Sequence, residues 1–150
     1  MSPKRYRRLP SLLLFALWAL CASPGLIAGD ATEPRRTVVY HIDDSERAIP
    51  MLRNITNHHA ADPGIRIVVV ALGAGVDFLV DGHADDRGNS YDALVDPLML
   101  EGVEFRVCGN TLKGRHIDAA SLLPDVQIVP SGVAEIARLQ IAEGAAYIKP

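Results

Sequence analysis

The run Ile65-Arg66-Ile67-Val68-Val69-Val70-Ala71-Leu72 constrains the fold more than any other stretch of the chain. β-Branched side chains crowd the preceding turn of a helix but pack well on a pleated surface, so this run favours extended backbone. A strand with one face in water alternates apolar and polar residues. This one does not, so both of its faces must be covered, as in the centre of a parallel sheet flanked by helices.

The remaining segments supply the matching parts. Thr37-Val38-Val39-Tyr40-His41-Ile42 reads as a first strand, residues 103–107 as a third, 126–129 as a fourth and 146–148 as a fifth. Asp43, Asp44 and Ser45 offer capping oxygens to a helix carrying Ala48, Ile49, Leu52, Ile55 and Thr56 at helical spacing. Pro50 lacks an N–H, so that helix starts near Ile49 or kinks there, and Asp62-Pro63-Gly64 ends it. After Gly73-Ala74-Gly75 a short helix carries Val76, Leu79 and Val80, and residues 82–90 read as a mobile polar loop. Residues 91–101 are helical in pattern, with a kink expected at Pro97 and a stop at Gly102. A short helix spans 111–116. The last helix is expected to bury Val133, Ile136, Ala137, Gln140 and Ile141. This alternation predicts an α/β fold with right-handed crossovers and a mainly parallel sheet of about five strands.

Residues 1–29 are of another kind. Lys4, Arg5, Arg7 and Arg8 precede an apolar run from Leu12 to Leu20 that continues through Ile27, and small residues follow. This is the pattern of a secretory signal peptide, with cleavage expected between Ala28 and Ala31. Ser23, Pro24 and Gly25 interrupt the run and argue against a permanent membrane span, and Leu20 before Cys21 argues against a lipid anchor. Residues 30–36 read as a linker and 37–150 as the domain, placed in the periplasm or secreted, with no membrane contact after the signal is removed.

Without its leader the chain keeps eleven Lys/Arg against eighteen Asp/Glu, a formal charge of −7. An acidic chain without a basic cluster and with few aromatic residues is poorly suited to nucleic acid. Cys21 leaves with the leader and Cys108 stays, so no intramolecular disulfide is expected. No histidines stand at ligand spacing, so no metal site is expected, and nothing in the sequence calls for a cofactor.

In a parallel α/β sheet, ligands gather where chains leave the carboxyl ends of the strands. Those exits are residues 41–44, 73–75, 108–110 and 130–132. Cys108 sits where a strand hands over to a helix, with Lys113 and Arg115 within two turns. Helix N–H groups and cations stabilise a thiolate, which would make Cys108 a nucleophile. The bland reading is a small apolar residue at the end of a buried strand. A Cys-x5-Arg phosphate loop is excluded because the sixth residue after Cys108 is Gly114, with Arg115 one place late. His41 and Asp43 stand two apart at a strand end and suit either proton transfer or a hydrogen-bonded loop pair. Gly73 and Gly75 suit an anion cradle or a plain tight turn. Asp81, Asp85, Asp86 and Asn89 lack the spacing of a calcium loop.

Taken in order, Val38-Val39-Tyr40-His41, Asn54-x-x-Asn57, Gly73-x-Gly75-Val76, Gly102-Val103-x-Phe105, Cys108-Gly109-Asn110-Thr111-Leu112, Pro130-Ser131-Gly132-Val133 and the closing Ala146-Tyr147-Ile148-Lys149-Pro150 resemble the DsrE/DsrF-like family, in particular an exported branch of mostly uncharacterised members. The resemblance implies a three-layer α/β/α fold, assembly into trimers or hexamers, and sulfur carried as a persulfide on a cysteine and passed between donor and acceptor proteins. Cys108 falls where that cysteine is expected, with Gly109, Asn110, Thr111, Lys113, Arg115 and Ser131 around it. Export departs from the cytoplasmic setting usual for sulfur relay, and Gly-Asn-Thr-Leu after the cysteine differs from the small, Ala/Ser-rich stretch of relay members. Two functions therefore stand at this point. One is a sulfur carrier or thiol sensor acting through Cys108. The other is a non-catalytic oligomeric module, binding a small ligand or protein, with a structural cysteine.

Overall fold

The computed structural model describes residues 36–150; the expected signal peptide and nearly all of the linker lie outside the described residues. Five strands, β1 (Thr37–Ile42), β2 (Arg66–Ala71), β3 (Glu104–Cys108), β4 (Gln127–Val129) and β5 (Ala146–Ile148), form one sheet in the order β4-β3-β2-β1-β5. Every pairing is parallel. Ile67 through Ala71 are all buried, as the continuous apolar run requires.

The strand order explains the layers. From β1 to β4 the chain steps in one direction across the sheet, then returns past β1 to lay down β5. Right-handed crossovers in opposite directions place their helices on opposite faces. Accordingly α1 (Ala48–Ala61), α2 (Asp92–Leu100) and α3 (Gly109–Arg115) contribute Met51, Leu52, Ile55, Val95, Leu98 and Leu112 to a core over Val38, Tyr40, Ile67, Val69, Phe105 and Val107. On the other face α4 (Gly132–Glu143) seats Ile136 and Leu139 on Val39, Val68 and Val70.

Three local expectations are corrected. The short helix after β2 begins at Gly73 itself rather than after Gly75, stops before Val80, and is a 3₁₀ helix over residues 73–79. The chain must leave β2 against the end of β1, where a β-carbon on Gly75 would stand 2.5 Å from the Ile42 carbonyl oxygen. The tighter 3₁₀ spiral then turns Val76 and Leu79, three apart, inward together. Secondly, the buried stripe of α4 is Gly132, Ile136 and Leu139, while Val133, Ala137, Gln140 and Ile141 are exposed, Ile141 at 86%. Both stripes fit a helical period; the seat of Gly132 on the sheet sets the phase. Thirdly, α3 begins at Gly109, directly after the strand, instead of at Thr111.

Elsewhere the sequence reading needs little change. Asp44 caps a 3₁₀ turn over Ser45–Arg47, accepting from Glu46 N–H at 3.0 Å, and α1 follows from Ala48. Pro50 lies in its first turn, where no intrahelical donor is needed. Asp85 closes the 82–90 loop by accepting from the backbone N–H groups of Arg87 and Asn89, at 3.0 and 2.8 Å. In α2, Leu98 is buried and Leu94 and Met99 pack on the core, so the exposed apolar side chain there is Leu100, at 91%. Among the described residues no helix is long and apolar enough to cross a membrane.

Candidate functional site

The exits of β2, β3 and β4 meet around Cys108, the last residue of β3 and a free cysteine. Its residue surface is 7% exposed. Burial opposes ionisation of the thiol and raises its pKa. Against this act the backbone N–H of Gly132, the hydroxyl and N–H of Thr111, and the N–H of Asn110, and together they bring the pKa below its ordinary value. Two of these N–H groups open α3 and one opens α4. The first N–H groups of a helix have no intrahelical acceptor, so here they point at sulfur.

Neighbouring groups keep the donors in place. Gly73 N–H donates to Thr111 Oγ1 at 3.1 Å, occupying a lone pair and leaving the hydroxyl proton for the sulfur. Gly73 itself has φ +59, which favours glycine. Arg115 donates to the Gly73 carbonyl at 2.9 Å and pairs with Asp77 at 2.8 Å. It therefore braces the β2 exit, and the chief groups lowering the thiol pKa are N–H and hydroxyl donors rather than cations. Lys113 is exposed. Gly109 lies against the Val129 carbonyl, where a β-carbon would come within 3.0 Å of the oxygen. Ser131 caps α4 from its N-cap position, its Oγ accepting from Ala134 N–H at 3.4 Å.

His41 and Asp43 are drawn elsewhere. His41 Nδ1 bonds Tyr147 Oη at 2.7 Å, and Asp43 pairs with Lys149 at 2.6 Å, so both tie β1 to the chain terminus. Burial, and then the Lys149 charge, hold the His41 pKa below its ordinary value, with Asp43 opposing them. The hydrogen bond from Lys149 lowers the Asp43 pKa. β2 stands between β1 and β3, so this pair belongs to a different part of the sheet edge from Cys108.

Two features of the site escaped sequence reasoning. The first is Gly132 as a direct donor to the thiol; the turn 130–132 was expected at this edge, but not its contact. The second is a closed ring of alternating charges on the α4 face: Arg66, Glu104, Arg106, Glu135, Arg138 and Glu143, each paired with the next and the last with the first. Its traces were an arginine inside the apolar β2 run, Glu104 and Arg106 two apart on β3, and Glu135 and Arg138 three apart on a helix. A cleft of about 640 Å³ opens beside α1, lined among others by Glu46, Arg53, Asp77, His83 and Tyr91. Among the described residues no group of three or more His, Cys, Asp or Glu side chains could hold a metal ion.

Comparison with known proteins agrees with this architecture. Residues 37–150 match the DsrE/DsrF-like family. A solved structure of a protein of unknown function, MTH1491 from Methanobacterium thermoautotrophicum, is 39% identical over 77% of this chain and 99% of its own, with a TM-score of 0.67. The ychN protein from E. coli covers the same shares at 16% identity and a TM-score of 0.64, a likeness of fold. No curated protein matches the chain. With the family matched across the whole sheet and its helices, the conclusion is direct: this chain belongs to the DsrE/DsrF-like family.

Proposed function

We propose that the protein handles sulfur outside the cytoplasm, carrying it as a persulfide on Cys108. The observation that supports this most is the convergence of three backbone N–H groups and the Thr111 hydroxyl on one thiol. A thiolate is the nucleophile in sulfur exchange, and donors fixed around it favour that form. In the proposed step the Cys108 thiolate attacks the outer, sulfane sulfur of a donor persulfide. A new S–S bond forms, the donor's S–S bond breaks, and the donor leaves as thiolate. The persulfide proton equilibrates with solvent. Transfer to an acceptor thiolate runs the same exchange in reverse, so no external oxidant or reductant is required. With 7% of the residue exposed, a slim sulfane group suits the site better than a bulky reagent.

The test is intact mass after incubation with a low-molecular-weight persulfide, followed by reductant. A gain of one sulfur atom, removed by reductant and absent in Cys108→Ser, is expected. An unchanged mass would overturn the reading. The cleft beside α1 favours a second reading, a binding module, because it gathers charged side chains of both signs at the ligand-binding edge of the sheet. Under that reading Arg53→Ala and His83→Ala abolish ligand binding while Cys108→Ser leaves it intact.

A further inference from the structure

We propose that Arg106 and Glu135 are positioning residues for the Cys108 thiolate, clamping the first turn of α4 to β3 so that the Gly132 N–H stays on the sulfur. The inference rests on the reading that Cys108 works as a thiolate.

Arg106 and Cys108 stand two apart on β3, so their side chains leave the same face of the sheet. Gly132 and Glu135 stand three apart at the start of α4, so they are neighbours on the helix surface. The Arg106–Glu135 ion pair therefore runs beside the Gly132–Cys108 contact and joins the same two elements. It is poorly hydrated: Arg106 is 8% exposed and the Glu135 side chain 11%. Glu104 takes the second arm of Arg106, and the ring returns through Arg66, Glu143 and Arg138 to Glu135, fixing α4 at both ends.

The rest of the α4 seat cannot do this. Ile136 and Leu139 bury apolar area, but apolar contact is non-directional and tolerates sliding along the helix axis. A hydrogen bond to sulfur does not tolerate it. Buried ion pairs often add little to stability, and their best-attested use is to fix register. The Nε of Arg106 has no partner, so this arginine is held by its two terminal nitrogens alone, and its charge is committed to Glu104 and Glu135.

The test separates positioning from plain charge. The charged groups on the elements packed about Cys108 are Arg66 on β2, Asp77 on the 3₁₀ helix after it, Glu104 and Arg106 on β3, Lys113 and Arg115 on α3, and Glu135, Arg138 and Glu143 on α4. Glu135→Gln removes a negative charge, so a field effect alone lowers the thiol pKa, whereas loss of register raises it. Arg106→Lys keeps the charge, so a field effect alone changes nothing, whereas loss of the fork raises the pKa. Thiolate absorbance and iodoacetamide rate against pH are the readouts, with thermal melting to confirm folding and Arg36→Ala as a distant control. Both variants are expected to raise the pKa, and a rise of one unit slows alkylation roughly tenfold at pH values below the thiol's own pKa. An unshifted or lowered pKa in a folded variant overturns the positioning role. Should Glu135→Gln not fold, Arg106→Lys decides by the same reading. A wild-type thiol titrating at its ordinary value overturns the underlying thiolate reading instead.

Discussion

Cys108 and Gly132 meet so closely that a β-carbon on Gly132 would stand 3.1 Å from Cys108 Cβ and 3.2 Å from Leu72 Cδ2. A side chain on Gly132 would have to push both neighbours aside, and that closeness lets an α4 N–H reach the sulfur. Gly132→Ala is therefore expected to lift the first turn of α4, raise the Cys108 pKa, and cost about 1–3 kcal/mol, the usual range for overpacking. Urea denaturation and alkylation rate below neutral pH check the two effects separately. A variant as stable and as reactive as wild type would show that the turn yields freely.

Thr111 holds the thiol from the α3 side. Thr111→Val keeps the shape but removes the hydroxyl that serves the sulfur and accepts from Gly73 N–H at 3.1 Å. Leaving that donor unpaired is expected to cost about 1–3 kcal/mol. The Cys108 pKa should rise at the same time, read by thiolate absorbance. A stability loss without any pKa change would confine Thr111 to bracing the β2 exit.

The thiol also links stability to pH. Its pKa in the folded state lies below its ordinary value. Between the two the unfolded chain binds a proton that the folded chain does not, so stability rises with pH across that window. The contribution is complete above the unfolded value and lost as pH falls through the folded one. Denaturation midpoints against pH should show this slope in wild type, and Cys108→Ser should remove it. Equal slopes in both proteins would contradict a stabilised thiolate.

His41 works at lower pH. Its folded pKa is lowered, first by burial and then by the Lys149 charge. From about 6.5 down to the folded value, the unfolded state takes up a proton that the folded state refuses, so stability falls with acidification. His41→Asn should flatten that part of the stability curve while leaving thiol reactivity unchanged, since His41 bonds Tyr147 on the far side of β1. A change in thiol reactivity would tie this latch to Cys108 after all.

Export and assembly are expected together. Mature protein from the periplasmic fraction should begin between Ala28 and Ala31 by intact mass, and light scattering at micromolar concentration should return a trimer or a dimer of trimers. A full-length cytoplasmic product would remove the compartment proposed for the sulfur chemistry. A monomer mass would remove the oligomer.

What the sequence determined by itself was the order of elements and the class of fold. The apolar run of β2 could bury both faces only at the centre of a parallel sheet, and the alternation of strand and helix left one architecture for the rest. It also determined which loops share an edge, since parallel strands send all their carboxyl ends one way. Tertiary structure alone decided which loops touch. Gly132 reaches Cys108 from a helix more than twenty residues downstream, and the strand order puts β2 between His41 and Cys108. The charged ring was equally hidden, because its six members come from β2, β3 and α4 and neutralise one another in space, not along the chain. The phase of α4 shows the physical reason. Two stripes of that helix have the same period, so periodicity cannot choose between them; the seat of a residue without a side chain, against a cysteine on β3, makes the choice.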